Sequence, residues 1–166
     1  MSGPKDHDIS QAAERPNRVP WPPIILVGAI VAGYLLNRFV PLPWVPSPLS
    51  DILFAAGLLL IVAALAIDIA AMRIMSKAHT TILPHRASSA FVAEGPFRFS
   101  RNPIYVANVM IVTGLGLAFA NLWYLPLAAA VGVLINALAI PGEERHLEHK
   151  FHKHYRDYKT KVRRWI

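Results

Sequence analysis

Two segments of the sequence carry polar residues from which a binding site could be built. The first, "SRNPIY" at residues 100–105, places Arg101 and Asn102 directly before an almost wholly apolar run. Pro103 suits the first turn of a helix and Asn102 its N-cap, so free backbone N–H groups would lie beside the Arg101 guanidinium. This combination predicts an anion-binding site at the helix start. The alternative is that Arg98 and Arg101 contact only lipid phosphates.

The second segment, "PGEERHLEH" at residues 141–149, contains the carboxylate pair Glu143 and Glu144 within a basic tail. Acidic side chains also favour a helix N-terminus, which is the simpler explanation. A carboxylate pair at the same membrane depth as the anion site would, however, suit an ammonium group or a ribose diol. Asn108 and Asn136 lie at nearly equal depth in a predicted hairpin, where an unpaired amide is costly. We expect these amides either to bond to each other or to line one polar cavity.

Other polar residues of the sequence have structural explanations. Asp68 lies near the end of an apolar segment, where we expect it to reach the membrane surface or to pair with Arg73. The histidines at residues 146–154 form a single cluster on a basic helix face, which is more typical of a solvated surface than of a metal site, so we expect no metal. The glycines of the apolar segments have no strand before them and predict close helix packing.

Apolar helices must position these residues. The chain has 166 residues, 54% hydrophobic and 16% charged, a balance typical of membrane proteins. A bilayer span needs about 20 mostly apolar residues, and four segments qualify: 21–40, 52–70, 104–120 and 123–140. The first 20 residues contain no apolar core, so no cleavable signal peptide is expected. We predict an all-α fold, a membrane helix bundle with four transmembrane helices and a small cytosolic helical cap.

The basic residues are distributed asymmetrically between the predicted spans. Three lie in the first 20 residues, five between the second and third spans and eight in the tail, whereas only Arg38 lies on the opposite side. This pattern places both termini in the cytoplasm. We expect a flexible arm at 1–20, two transmembrane helices at 21–75 and a functional core at 76–166. This core would contain a cytosolic loop, a transmembrane hairpin at 103–140 and a C-terminal amphipathic helix. The sequence contains no soluble domain with a basic face, so a nucleic-acid partner is not expected.

The tail has the periodicity of a helix with one apolar stripe. Its apolar side chains recur at steps of four, four, three and four: Leu147, Phe151, Tyr155, Tyr158 and Val162. Most of the lysines and arginines lie off this stripe. One interpretation is an amphipathic helix on the membrane surface. The glutamate pair at its start favours the other, in which the helix covers a site beneath the bundle.

The chain has no cysteine, which excludes disulfides, thiolate metal sites and cysteine nucleophiles.

About the last 90 residues resemble the isoprenylcysteine carboxyl methyltransferase and phospholipid methyltransferase superfamily. The resemblance is carried by "AHTTILPHR" (78–86), "FVAEGPFRFSRNPIY" (91–105), the two-span hairpin and "GEERHLEHKFHKHYRDYKTKV" (142–162), in this order and spacing. It implies an integral membrane enzyme of a bacterial type, placed in the inner membrane. Such an enzyme binds S-adenosyl-L-methionine from the cytosol under the hairpin and methylates a lipid-like or other hydrophobic acceptor that arrives from the bilayer.

The resemblance and the residue chemistry together give a set of candidate site residues. Glu143 and Asn136 are the candidate catalytic residues, with Glu143 as a base toward an amine acceptor. Arg101 suits the methionine carboxylate, and the glutamates suit its ammonium or the ribose. The expected cofactor contacts are Ser89, Ala90, Phe91, Val92, Phe97, Arg101, Asn102, Pro103, Ile104, Tyr105, Glu143 and Glu144. The aromatic rings among them could face the adenine or the sulfonium cation.

Departures from the family pattern bear on the acceptor. The prenylcysteine branch usually has histidine at the position of Asn102 and an arginine near Ala139, and the phospholipid branch has glycine at the position of His79. The resemblance therefore assigns neither acceptor, and it disfavours prenylcysteine more because the arginine is missing. A glycine is common at the position of His152 and a proline at that of Arg163. Two other functions are compatible with four spans. One is a small transporter that uses Asp68 as its coupling carboxylate, and the other is a non-catalytic membrane subunit that retains only the fold.

Overall fold

A computed structural model describes residues 20–77 and 92–166. The predicted arm before residue 20 lies outside this range, as do the predicted site residues Ser89, Ala90 and Phe91. The described chain is helical throughout its regular structure. Its elements are α1 (Trp21–Phe39), α2 (Leu49–Lys77), a 3-10 turn (Gly95–Arg98), α3 (Pro103–Ala118), α4 (Tyr124–Leu138) and α5 (Ile140–Lys161). The predicted all-α fold is confirmed.

Four apolar helices correspond to the four predicted spans. In the described chain, α1, α2 and the helical run that begins with α4 are long and apolar enough to cross a membrane, and α3 is a shorter apolar helix. Large apolar side chains are exposed along α1 and α2, among them Tyr34, Leu59 and Val62. Contiguous exposed apolar surface of this extent is stable against lipid and not against water. These two helices therefore present the lipid-facing surface of the bundle.

Glycines bring α2 and α3 into close contact. A Cβ atom added to Gly57 would lie 2.6 Å from the backbone nitrogen of Ala118, and one added to Gly114 would lie 2.8 Å from the carbonyl oxygen of Gly57. Because backbone atoms form these obstacles, neither position has room for a side chain. Close approach of this kind gives the van der Waals packing that holds helices together in a bilayer. The expected packing role of glycines in the apolar segments is confirmed at this contact.

The turn of the α3–α4 hairpin holds α1 in place. Three side chains of this turn donate hydrogen bonds to carbonyl oxygens of α1 or its end: Asn121 Nδ2 to Gly33 at 2.9 Å, Tyr124 Oη to Ile30 at 2.9 Å, and Trp123 Nε1 to Val40 at 2.8 Å. In a membrane these bonds satisfy carbonyl and amide groups that water cannot reach. The turn end of the hairpin is thus used for packing, and its other end is left for polar side chains.

The chain passes from α4 to α5 at Ala139, where φ is −96° and ψ is −58°. Pro141 lies in the first turn of α5. A proline fits there because the N–H that it lacks would have no partner in the helix. The change from α4 to α5 therefore falls two residues before this proline. As a result, Glu143 lies in the first turn of α5, directly after the apolar helix α4.

The amphipathic α5 turns its predicted apolar stripe inward. Tyr155 and Tyr158 are buried, and the other members of the stripe are partly buried. The helix bends at His152, where φ is 43° and ψ is −115°. A residue with a Cβ atom is strained at this positive φ, whereas glycine adopts it readily. Glycine at this position would adopt the bend without this strain.

We expect the substitution His152→Gly to stabilise the protein by about 1 kcal/mol, because it relieves strain of about 1–3 kcal/mol and loses part of this gain to the freedom of glycine in the unfolded chain. Thermal unfolding of the purified protein in detergent measures the change. The matched control is His149→Gly at an exposed helical position, which should destabilise by about 0.5–1 kcal/mol. Equal losses of stability in His152→Gly and His149→Gly would contradict backbone strain at His152.

Candidate functional site

The amino end of α3 has the predicted backbone but an unexpected side-chain arrangement. Asn102 is the N-cap, with φ at −130°, and Pro103 opens the helix. The Asn102 side chain makes no capping bond. Its Nδ2 instead donates to the carbonyl oxygen of Arg164 at 3.0 Å, while its backbone N–H donates to Ser100 Oγ at 3.0 Å. The start of α3 is therefore held by the carboxy-terminal end of the chain.

The carboxylates of α5 reach the amino end of α3. Tyr105 Oη donates a hydrogen bond to Glu143 Oε1, and Arg101 Nη2 lies 3.0 Å from Glu144 Oε1. The side chains of Arg101 and Glu144 are each only 11% exposed, so water screens this ion pair weakly. The two segments that the sequence singled out are thus in direct contact. We call the side chains of Arg101, Tyr105, Glu143, Glu144 and Arg164 the polar cluster. The contacts of Arg164 are described below.

The two carboxylates of the polar cluster have different surroundings. Burial raises the pKa of Glu143 to about 7, the hydrogen bond from Tyr105 opposes this shift, and the charge of Glu144 adds to it. Glu144 instead contacts guanidinium groups, from Arg101 and Arg164. A pair of carboxyl groups in such unlike surroundings can divide its roles. Glu143 is able to exchange a proton near neutral pH, and Glu144 anchors cationic side chains.

The last residues of the chain, 162–166, form a wall of the polar cluster. Arg164 makes a two-pronged ion pair with Glu144, with Nε 3.2 Å from Oε1 and Nη2 2.7 Å from Oε2. The backbone N–H of Arg101 donates to the carbonyl oxygen of Arg163 at 2.9 Å, and Ser100 Oγ donates to that of Arg164 at 3.2 Å. We call residues 162–166 the terminal segment. It joins the start of α3 to the start of α5.

Residues 163–166 and Ser100 were not among the residues expected to form the site. The one available signal was Trp165, an aromatic residue placed after the apolar stripe of the tail had ended. The large apolar ring of a tryptophan is expected to pack against the protein, and that of Trp165 is half-buried. Its contacts are with residues far away in the sequence, so no local pattern could have identified them.

Asn136 contacts the terminal segment and not Asn108. Its Oδ1 accepts hydrogen bonds from Arg164 Nη1 at 3.1 Å and from Trp165 Nε1 at 3.3 Å. Among the described residues no hydrogen bond joins the two amides, and the groove beside Asn136 is lined by Val109 and not by Asn108. The first alternative that we expected for this pair, a bond between the two amides, was therefore wrong. The physical reason is that two donors from the terminal segment occupy the Asn136 oxygen.

Three further predicted cofactor contacts do not belong to the polar cluster. The carbonyl oxygen of Phe97 accepts a hydrogen bond from Tyr158 Oη, which fastens the 3-10 turn to α5. Ile104 packs against the apolar core between α3 and α4. Val92 is half-buried at the start of the second described range. Phe97 and Ile104 thus contribute a backbone contact and an apolar contact, whereas the polar cluster supplies the charged groups.

Asp68 and the histidines of the tail, the other candidates from the sequence, are not part of the polar cluster. Asp68 is on α2, and its Oδ1 is buried with no hydrogen-bond partner among the described residues. Arg73 is exposed, and the described part of the chain contains no ion pair between the two, so the predicted pairing was wrong. Within residues 20–77 and 92–166, no group of three or more histidine, aspartate or glutamate side chains is placed to hold a metal ion.

An apolar groove leads along α3 and α4 to the polar cluster. It has a volume of about 350 Å³, and its lining includes Val109, Ala128, Gly132 and Val133, with Asn136 and Trp165 at one end. The helical rise of about 1.5 Å per residue gives roughly 12 Å between Ala128 and Asn136. The groove is therefore an elongated apolar surface with a polar end formed by two side chains that already contact each other.

Comparison with known proteins identifies the family. The family model described as phospholipid methyltransferase matches residues 52–154, more than half of the chain. The match starts in α2, well before the last 90 residues that carried the resemblance, and it includes α3, α4 and the acidic pair of α5. It ends before the terminal segment. No curated protein matches the sequence. With its apolar helices and this match, the chain is an integral membrane methyltransferase and belongs to the phospholipid methyltransferase family.

Proposed function

We propose that this methyltransferase uses S-adenosyl-L-methionine as methyl donor and a lipid-like or other hydrophobic molecule as acceptor. The observation that carries the proposal is the contact between the start of α3 and the acidic pair, made by Arg101 with Glu144 and by Tyr105 with Glu143. The donor contains a carboxylate, an ammonium group and a ribose diol close together. A pocket for it needs cationic and anionic side chains side by side, as they are in the polar cluster.

The residues of the polar cluster suit this donor. Arg101 Nε is buried and has no hydrogen-bond partner among the described residues. A buried N–H without an acceptor is costly, so an incoming carboxylate would gain a strong bond there. Glu143 would then be available to the ammonium group or the ribose. When bound, S-adenosyl-L-methionine supplies an electrophilic methyl group carried on a sulfonium sulfur.

The proposed role of Glu143 is to accept a proton from the acceptor. Its pKa near 7 leaves a large share of the carboxylate form at neutral pH, and a base with a pKa near the working pH is the most effective. The bond from Tyr105 fixes the position of one carboxylate oxygen. Asn136, our other candidate catalytic residue, contacts Arg164 and Trp165. Its proposed role is therefore to position the terminal segment.

We propose that the polar cluster faces the cytoplasm of a bacterial cell, with both termini on that side. The cluster lies at the end of the α3–α4 hairpin that carries the basic tail, and the opposite end carries the turn around Asn121. Basic residues concentrate on the cytoplasmic side of membrane proteins. The donor is a charged cytosolic molecule, so a cytoplasmic opening would give it access, while the acceptor would arrive through the bilayer.

The substitution Arg101→Gln should weaken binding of S-adenosyl-L-methionine roughly 10- to 100-fold, because a hydrogen bond to a charged group contributes about 1.5–3 kcal/mol. Isothermal titration calorimetry of the detergent-purified protein measures the affinity. The matched control, Arg156→Gln on the exposed face of α5, should bind as the wild type does. An unmodified protein that shows no affinity for the donor would overturn the cofactor assignment, and equal affinities for wild type and Arg101→Gln would overturn the role of Arg101.

A labelling experiment tests the lipid-like acceptor. Membranes that contain the protein are incubated with donor labelled on its methyl group and then extracted with organic solvent. Label in the organic phase, present with wild type and absent from membranes without the protein, is the expected result. Label confined to the aqueous phase or to precipitated protein would contradict a lipid-like acceptor and would leave the methyltransferase assignment itself intact.

A further inference from the structure

The side chain and the backbone of Arg164 are held by different partners. Its guanidinium group contacts both carboxylate oxygens of Glu144, with Nη2 2.7 Å from Oε2 and Nε 3.2 Å from Oε1. Its carbonyl oxygen accepts hydrogen bonds at the start of α3, from Ser100 Oγ at 3.2 Å and from Asn102 Nδ2 at 3.0 Å. The side chain can therefore leave Glu144 while the backbone of the terminal segment stays in place.

The two guanidinium groups on Glu144 differ in how easily they can leave it. The side chain of Arg101 is 11% exposed, whereas that of Arg164 is 35% exposed. Separating a buried cation from its carboxylate costs much more than releasing one that water can hydrate. The bond from Arg164 to Asn136 Oδ1 is also dispensable, because Trp165 Nε1 donates to the same oxygen. Arg164 is therefore the replaceable partner of Glu144.

The proposed donor would bring further positive charge to this carboxylate. S-adenosyl-L-methionine carries a sulfonium, an ammonium group and a single carboxylate, so it is a net cation. Glu143 is the weaker partner for the ammonium group, since it already accepts the bond from Tyr105 and its pKa of about 7 leaves part of it protonated. Both oxygens of Glu144 are engaged by guanidinium groups. A third cation at one carboxylate is repelled by the first two, so the ammonium group requires one of them to leave.

We infer that the guanidinium group of Arg164 and the ammonium group of the donor compete for the carboxylate of Glu144, so that binding of the donor releases the Arg164 side chain. The inference rests on the proposed function and adds a means of control to the same site. Arg164 is a competitor built into the terminal segment, beyond the family match, and it lowers the affinity for the donor. The demethylated donor retains the ammonium group, so the return of Arg164 to Glu144 also assists its release.

Donor affinity tests the competition. By calorimetry of the detergent-purified protein, Arg164→Gln should bind S-adenosyl-L-methionine about three- to tenfold more tightly than the wild type, since the ion pair it removes is intermediate between a surface pair and a buried one. Arg164→Lys should gain less, because it keeps the competing charge and loses only the two-pronged geometry. The matched control, Arg163→Gln, removes one positive charge at an exposed neighbouring position. Water and salt screen that charge, so its effect should be less than about twofold.

Chemical modification of the wild-type protein tests the release of Arg164 without any substitution. Phenylglyoxal reacts with accessible guanidinium groups, and mass spectrometry of the digested protein gives the extent of reaction at each arginine. Addition of S-adenosyl-L-methionine should increase the rate of modification at Arg164 severalfold, because its guanidinium group leaves the ion pair. The rate at Arg163, which is exposed in the same segment, should stay unchanged and serves as the internal control.

The outcomes separate this inference from the proposed function. Equal or weaker donor binding by Arg164→Gln, or a donor that protects Arg164 from phenylglyoxal or leaves its rate unchanged, would overturn the competition and keep the donor assignment. Weaker binding together with protection would show that Arg164 binds the donor itself. Equal gains in affinity for Arg164→Gln and Arg163→Gln would reduce the effect to net charge and would also overturn the inference. A wild-type protein without affinity for the donor would instead reject the proposed cofactor.

Discussion

Replacing Glu143 with glutamine is expected to lower the rate of methyl transfer by about 10²- to 10⁴-fold, the usual contribution of a positioned general base. Glutamine keeps the shape of the side chain and a carbonyl oxygen that can accept the bond from Tyr105, but it cannot take up a proton. Affinity for the donor should fall much less than the rate, because the glutamine oxygen can still accept a hydrogen bond from the ammonium group or the ribose of the donor. Initial rates with methyl-labelled donor, measured beside calorimetry, give both quantities.

The pH dependence of the same rate gives an independent check on Glu143. The base acts as a carboxylate, and its pKa is raised to about 7 by burial. The wild-type rate should therefore rise with pH up to about 7 and level off above it, and the remaining activity of Glu143→Gln should lack this rise. Glu148→Gln, at an ion pair on the surface of α5, is the matched control. A Glu143→Gln enzyme with normal turnover would show that the acceptor needs no base.

The helices could be predicted from the sequence because their signal is local. Runs of about 20 apolar residues are set by bilayer thickness, and the stripe of α5 repeats every three to four residues. The limits of α2 were the least accurate: it extends from Leu49 to Lys77, beyond the predicted 52–70. The reason is that charged and polar residues at the ends of a membrane helix lie in the interface without ending the helix. Hydropathy marks the apolar part of such a helix and misses its polar ends.

The site could be predicted in part. Hairpin geometry requires the start of α3 and the end of α4 to lie at one membrane depth, so the meeting of Arg101 with Glu144 follows from the topology. The contacts of Asn136 did not follow, because they depend on where a five-residue terminal segment folds back. That position is set by hydrogen bonds between residues about 60 apart, such as Ser100 with Arg164. Pairings of this kind leave no periodic pattern in a sequence.

Burial gives the two carboxylates of α5 that form ion pairs very different importance. The carboxylate of Glu144 is 11% exposed and contacts two guanidinium groups, whereas Glu148 and Lys159 are 38% and 33% exposed. Water hydrates the second pair well, so its loss costs little. Loss of Glu144 would leave Arg101 charged and buried without a counterion. The connection between α3, α5 and the terminal segment therefore depends on one carboxylate.

The substitution Glu144→Gln should destabilise this connection by about 3–5 kcal/mol, the cost of removing one partner from a buried ion pair. Most of the loss comes from Arg101, because Arg164 is exposed enough to be hydrated. Hydrogen exchange at the amide of Arg101 reports it directly, since this N–H is bonded to Arg163 of the terminal segment. The expected increase in exchange rate is about 10²- to 10⁴-fold, at one factor of ten for each 1.4 kcal/mol.

Glu148→Gln is the control for this substitution, because it makes the same chemical change in the same helix at an exposed ion pair. It should alter stability by less than about 1 kcal/mol and leave exchange at Arg101 unchanged. Similar small effects of the two substitutions would show that the terminal segment is held by its backbone hydrogen bonds alone. A large effect confined to Glu144→Gln would show that the carboxylate inside the polar cluster fixes the end of the chain, and with it the position of Arg164.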